Sequence, residues 1–146
     1  MSALIAALAS HHGLPTIDAE SLDAFLAPAA GEPEHVLLFF SGDPDQRNDS
    51  GDVAVVLPEL LAAFPGRFRA GVIARSAEAA LKARCQVEVF PSLVVLRGQT
   101  LLDVLPRIRD WSDYLDRLGA ALRPDAAVFS APSRIEITTG ARRADV

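Results

Sequence analysis

Val87-Glu88-Val89-Phe90-Pro91-Ser92-Leu93-Val94-Val95-Leu96-Arg97-Gly98-Gln99-Thr100-Leu101-Leu102-Asp103-Val104-Leu105 decides the fold. Residues 93–96 are an unbroken apolar run of strand length, and residues 101–105 read as a second strand with Asp103 at its centre. Gly98-Gln99 between them gives the short spacing of a hairpin. Phe90-Pro91-Ser92 stands just ahead of the first strand.

Working upstream, residues 35–41 read His-Val-Leu-Leu-Phe-Phe-Ser, a continuous apolar run that predicts a strand buried on both faces and central in a sheet. Residues 68–74 supply another strand after the Pro65-Gly66 turn. Between them Val53, Val56, Leu57, Leu60 and Leu61 recur at helical spacing around Pro58, which predicts a helix over 53–64 with a kink near the proline. Residues 76–83 read as a short helix with Ser76 as cap and Glu78 in its first turn. Near the start, Leu4, Ile5 and Leu8 share one face of a short helix, Thr16-Ile17 is extended, and Asp18 is the expected cap of a helix that stops at Pro28. Downstream, Trp111, Tyr114, Leu115, Leu118 and Leu122 make an amphipathic helix over 110–122. The expected organisation is one domain over residues 1–124 and a mobile or partner-dependent tail over 125–146, where Phe129 and the alternation at 134–138 suggest one further edge strand.

Composition bounds the chemistry. The 146 residues suit a single domain, and half of them are apolar. A net charge of -5 disfavours nucleic acid and suits a basic partner. Cys85 is the only cysteine, so no intramolecular disulfide forms. His11, His12 and His35 have neither the cysteine neighbours nor the i, i+4 spacing of a metal site, so no metal and no cofactor are expected. No run approaches the ~20 apolar residues of a membrane span. The apolar stretch at residues 1–9 has no Lys or Arg ahead of it, so a cytoplasmic protein without membrane insertion is expected.

Laid end to end, the order βαβαβαββα is that of an α/β mixed sheet flanked by helices. With Phe90-Pro91-Ser92 directly before the hairpin, it resembles the thioredoxin-like three-layer sandwich. That resemblance implies a cis bond between Phe90 and Pro91, and an active-site loop between the central strand and the proline-containing helix. Aligning Pro58 with the helix proline puts Ser50-Gly51-Asp52-Val53 where a Cys-x-x-Cys would stand. With neither thiol present, dithiol exchange lacks both its attacking and its resolving group.

Residues 14–122 more closely resemble the hydrogenase expression/formation proteins of the HupG, HyaE and HoxO type. The stretches that carry this are 36–42, Phe90-Pro91-Ser92-Leu93-Val94-Val95 and, most specifically, Val104-Leu105-Pro106-Arg107-Ile108-Arg109-Asp110-Trp111. The resemblance implies a non-catalytic chaperone in nickel-iron uptake hydrogenase maturation. Its expected partner is the small-subunit precursor, which carries a twin-arginine signal peptide. Another hydrogenase accessory protein is a further partner by analogy alone.

A receptor for two guanidinium groups followed by an apolar segment needs carboxylates beside an apolar surface. The turn-rich loop Gly42-Asp43-Pro44-Asp45-Gln46-Arg47-Asn48-Asp49-Ser50-Gly51-Asp52 offers Asp43, Asp45, Asp49 and Asp52, and in a thioredoxin-like fold Phe90 and Pro91 would share its face. Such residues are also the ordinary content of a solvated turn. Trp111 reads equally as an interface anchor or as core. Pro91 has a structural as well as a binding reading, and Arg107 and Arg109 either meet a partner carboxylate or flank a solvated helix entry. Arg142-Arg143 is itself an arginine pair that could sit in the acidic groove. Two other classes stay open: a single-thiol oxidoreductase using Cys85, and a redox-inactive binding module that pairs with another partner or with its own copy.

Overall fold

A computed structural model describes residues 3–43 and 49–129. The elements are α1 (Ala3–Ser10), β1 (Thr16–Ile17), α2 (Leu22–Leu26), β2 (His35–Phe40), α3 (Ser50–Ala63), β3 (Phe68–Ile73), a 3-10 turn (Arg75–Ala77) running into α4 (Glu78–Leu81), β4 (Ser92–Arg97), β5 (Thr100–Pro106) and α5 (Trp111–Ala121). The five strands form one mixed sheet in the order β1-β3-β2-β4-β5. β1 and β2 run parallel to β3, whereas β4 is antiparallel to both β2 and β5.

The apolar run at 36–40 occupies the middle of the sheet, as its lack of alternation requires. Leu37 and Phe39 point into a core shared with α1, α3 and α5, and Val36, Leu38 and Phe40 into a second core under α2 and α4. Each core is filled by fully buried side chains, Tyr114 and Leu57 on one face and Leu22 and Leu26 on the other. Helices on both faces of a mixed sheet give the thioredoxin-like α/β three-layer sandwich. The Phe90–Pro91 peptide bond is cis.

Local details differ from the periodicity. Asp18 Oδ1 accepts the Ser21 N–H (2.8 Å) and Ser21 Oγ accepts the Asp18 N–H (3.0 Å), a reciprocal turn that delays α2 to Leu22. The expected helix over 76–83 is divided between the 3-10 turn, which begins at Arg75 without a side-chain cap, and the four residues of α4. α3 begins at Ser50, inside the stretch that reads as loop, and runs on through Pro58. Gly98 takes φ +59°, the left-handed conformation that lets Gly98-Gln99 close the hairpin. One register shift between Val95 and Leu96 interrupts the β4–β5 ladder.

Of the expected tail, residues 126–129 lie near β5: the Phe129 N–H donates to the Leu101 carbonyl (2.9 Å) and its ring packs on the second core. The alternation at 134–138 and Arg142-Arg143 lie outside the described residues.

Candidate functional site

The acidic loop leaves β2 and re-enters the fold at α3, and both of its ends are tied. The Ser50 hydroxyl, at the first position of α3, donates to the Ser41 carbonyl (2.6 Å), which closes the loop on itself. At the outgoing end Gly42 has φ +68°, and its N–H donates to Glu78 Oε2 (3.0 Å). Glu78 is buried, its side chain 4% exposed, and its other oxygen pairs with Arg75 (2.6 Å). A charge taken out of water at this depth needs such partners, and here it has both an ion pair and a backbone donor.

At the returning end Asp49 meets a cluster built from distant sequence. Arg107 grips it through Nε (2.7 Å) and Nη2 (3.1 Å), and the Ile108 N–H donates to the same carboxylate (3.2 Å). The Asp49 side chain is only 10% exposed, and the Arg107 hydrogen bonds hold its carboxyl below the usual aspartate range. Arg107 reaches it because Pro106 pairs with Ser92 across the β4–β5 ladder and the Arg107 N–H donates to the Pro91 carbonyl (2.7 Å). The turn costs a left-handed residue at Arg107 (φ +62°), braced by the Tyr114 hydroxyl, which donates to the Arg107 carbonyl (3.4 Å) and accepts the Arg109 N–H (3.3 Å).

The expected site residues therefore separate. Asp49, Arg107 and Pro91 are brought together, with Pro91 buried and Phe90 half-buried, its ring stacked 6.4 Å from that of Phe40. Asp52 is exposed in the first turn of α3, and Asp43 stands at the outgoing end of the loop. Asp45 lies outside the described residues. Trp111 opens α5 with 45% of its surface exposed, three residues beyond Ile108 at 40%. The two arginines of the 107–109 run are engaged within the chain, Arg107 by Asp49 and Arg109 by Asp113.

The position that would hold a first thiol is Ser50, fully buried and committed to its bond with Ser41. Cys85 is buried in the second core, and that burial pushes its thiol up to about 11. A shift in this direction is the opposite of the depressed value that marks a reactive thiol. Among the described residues no group of three or more His, Cys, Asp or Glu side chains is placed to hold a metal ion. No described helix is long and apolar enough to cross a membrane.

Comparison with known proteins places these features in a lineage. A family model described as hydrogenase-1 expression protein HyaE matches residues 4–114. The hydrogenase expression/formation protein HupG of Rhizobium leguminosarum bv. viciae is 52% identical over 139 residues, covering 94% of this chain and 93% of the relative. HoxO of Azotobacter vinelandii, another hydrogenase expression/formation protein, is 43% identical over 119 residues, 82% of this chain and 77% of its own. A crystal structure of a hydrogenase expression/formation protein HupG from Rhodopseudomonas palustris superposes with a TM-score of 0.53 at 44% identity, over 74% of this chain and 94% of that one.

Proposed function

The chain belongs to the HyaE family of hydrogenase expression proteins, and we propose that it acts in the cytoplasm as a non-catalytic chaperone for the small-subunit precursor of a nickel-iron uptake hydrogenase. In this reading it engages the twin-arginine signal while the precursor is completed. The supporting observation is the acidic loop anchored at both ends, by Glu78 at Gly42 and by Arg107 at Asp49. A pre-anchored loop loses less conformational entropy when a partner orders it further. Its aspartates face a partner whose guanidinium groups favour paired carboxylates. Asp43, Asp45 and Asp52 are the carboxylates assigned to the partner, and Asp49 the one that holds the loop in register. Phe90 and Trp111 are assigned the neighbouring apolar surface, which the buried Pro91 shapes from beneath.

The missing dithiol and the burial of Cys85 support the non-catalytic reading. Native-state alkylation of Cys85 is expected to proceed no faster than opening of the fold. Rapid alkylation at neutral pH would reopen a single-thiol enzyme.

The test is binding of the full chain to the precursor in three forms: signal intact, arginine pair changed to lysine, and signal removed. Binding that requires the signal and weakens with lysine, which lacks the bidentate fork, is the expected result. Equal binding to all three would move the contact to the mature subunit and away from the acidic loop.

A further inference from the structure

The stretch that carries the family resemblance most specifically, residues 104–111, divides into side chains that the fold engages and side chains that it leaves over. Arg107 is held by Asp49, and Arg109 by Asp113. Ile108, Asp110 and Trp111 are exposed, Ile108 by 40% and Trp111 by 45%. The Asp110 carboxylate has no hydrogen bond or ion pair among the described residues, although Asp110 is the N-cap of α5. An aspartate in that place ordinarily accepts an N–H from the first turn of its helix, a stabilising bond that is not made here. A local rule broken without a gain to the fold points to a use outside it.

The surroundings say what that use is. Val89, 44% exposed, stands two residues before Pro91, whose carbonyl takes the Arg107 N–H. With Ile108 and Trp111 it makes three of the six large apolar side chains exposed among the described residues, all at the cis-proline end of the β4–β5 hairpin. Exposed apolar groups that gather in this way mark a contact surface, which scattered ones do not. The surface is continuous with the returning end of the acidic loop, because the Ile108 N–H is bonded to Asp49 (3.2 Å). Its arginines are compensated within the chain, Arg107 by Asp49 and Arg109 by Asp113, so Asp110 is the charge left over at the entry to α5. Glu88, beside Val89, has the same sign. Residues 44–48 lie outside this surface, and their Asp45 and Arg47 cancel in formal charge. A carboxylate between an aliphatic side chain and an indole fits a guanidinium: the carboxylate accepts its N–H groups and the indole face attracts the cation.

We infer that Asp110, with Ile108 and Trp111, receives one arginine of the precursor's twin-arginine signal, its guanidinium on the Asp110 carboxylate and against the Trp111 indole, with the apolar residue beside it on Ile108. The assignment rests on the signal-reading function proposed above and adds to it a carboxylate outside the acidic loop. The other arginine is left to the aspartates of the loop. Lysine, a compact charge without a planar face, satisfies the carboxylate and the indole less well than arginine does.

Trp111 is the only tryptophan of the chain, so its emission reports the site without a label. A synthetic signal peptide without tryptophan is titrated into the full chain, and binding is followed in parallel by calorimetry. The emission is expected to change with the same midpoint as the heat. Asp110→Asn, which keeps a good capping residue, is expected to weaken binding about 1.5–5-fold, the range of an exposed ion pair. Asp116→Asn removes the same charge from an exposed position farther along α5 and is expected to leave the affinity at the wild-type value. The Asp110→Asn loss is expected to vanish against a peptide in which one particular arginine of the pair is glutamine, and to persist when the other is, because energetic coupling follows contact. Calorimetric binding with unchanged Trp111 emission, equal affinities of the Asp110→Asn and Asp116→Asn variants, or a loss that persists against both glutamine peptides would overturn the Asp110 site and leave the signal-reading function standing. A wild-type chain that does not bind the peptide would lose both the site and the function on which it rests.

Discussion

The two ends of the acidic loop begin with the same side chain and end in different physical states. Asp49 is nearly buried, takes three N–H donors and is matched by an arginine that arrives from 58 residues downstream. Asp43, six residues earlier, lines a groove with Ala6, Ala9 and Val72, where the Arg75 guanidinium is held by Glu78. Proximity in sequence says nothing of this division, because what separates the two is which strand end each lies beside. Asp49 falls against the β4–β5 hairpin, where Pro106 and the left-handed Arg107 turn guanidinium and amide towards it. Asp43 falls against β3 and α1, which bring alanine and valine. A carboxylate saturated from within serves the fold, and the proposed function assigns the one at the other end to a partner.

The contrast is widest in stability. Asp49→Ala removes a nearly buried acceptor from the Ile108 N–H and from an Arg107 guanidinium that is itself still open to water, and is expected to cost about 1–2 kcal/mol. Asp43→Ala, at a half-exposed position, is expected to cost less, within about 1 kcal/mol. Urea denaturation of both variants measures the difference. Equal losses would erase the distinction between the two ends.

Much of the scaffold follows from local pattern, and the division of the loop does not. The unbroken run at 36–40 and the Gly98-Gln99 spacing fix strands because burial and turn chemistry act over a few residues. The cis Phe90–Pro91 bond, by contrast, follows from the family resemblance. Helix starts were less legible: Ser50 reads as loop because its neighbours are Asp, Gly and Asn, yet its hydroxyl finds the Ser41 carbonyl and the helix begins there. The Asp49–Arg107 pair has no local signal at all, since it depends on the register that sets Ser92 opposite Pro106. Glu78 stood out only as a first-turn residue of a short helix, and its bond to Gly42 spans 36 residues and the width of a strand. The exposure of Trp111 was equally beyond an amphipathic pattern, because the first residue of a helix can face either way.

In binding, the order of the two ends should invert. Asp43→Asn with Asp52→Asn removes charge from the surface assigned to the signal, and exposed pairs of this kind are worth about 0.2–1 kcal/mol each, or roughly 1.5–5-fold in affinity per pair. The loss is expected to shrink as salt rises, because such contacts are screened. Asp49→Asn, whose partner lies within the chain, is expected to change affinity less than about twofold, a step too small to distinguish from a loop slightly displaced. Calorimetric titration with the precursor at low and high salt separates the cases. A larger loss at Asp49 than at Asp43 and Asp52 would mean that the incoming arginine displaces Arg107 and that the tied end is the receptor.

The finest discrimination lies in acid. The Arg107 hydrogen bonds lower the Asp49 pKa in the folded chain, with a smaller contribution from the Ile108 N–H, against a burial effect that acts the other way. A carboxyl whose folded value is depressed contributes stability that is full above its unfolded value and is lost as pH falls through the folded one. The parent protein should therefore lose part of its unfolding free energy below the ordinary aspartate range, and Asp49→Asn, already neutral, should lose less over the same interval. Arg107→Gln removes the principal cause while leaving the carboxyl in place, so its acid limb should also be shallower than the parent's. These two curves test the pair from opposite sides, because protonation of any other carboxylate would steepen all three proteins alike. Parallel curves in parent and both variants would mean that the Asp49–Arg107 contact contributes no charge-dependent stability, and the loop's returning end would then rest on the Ser50–Ser41 bond and the Ile108 N–H.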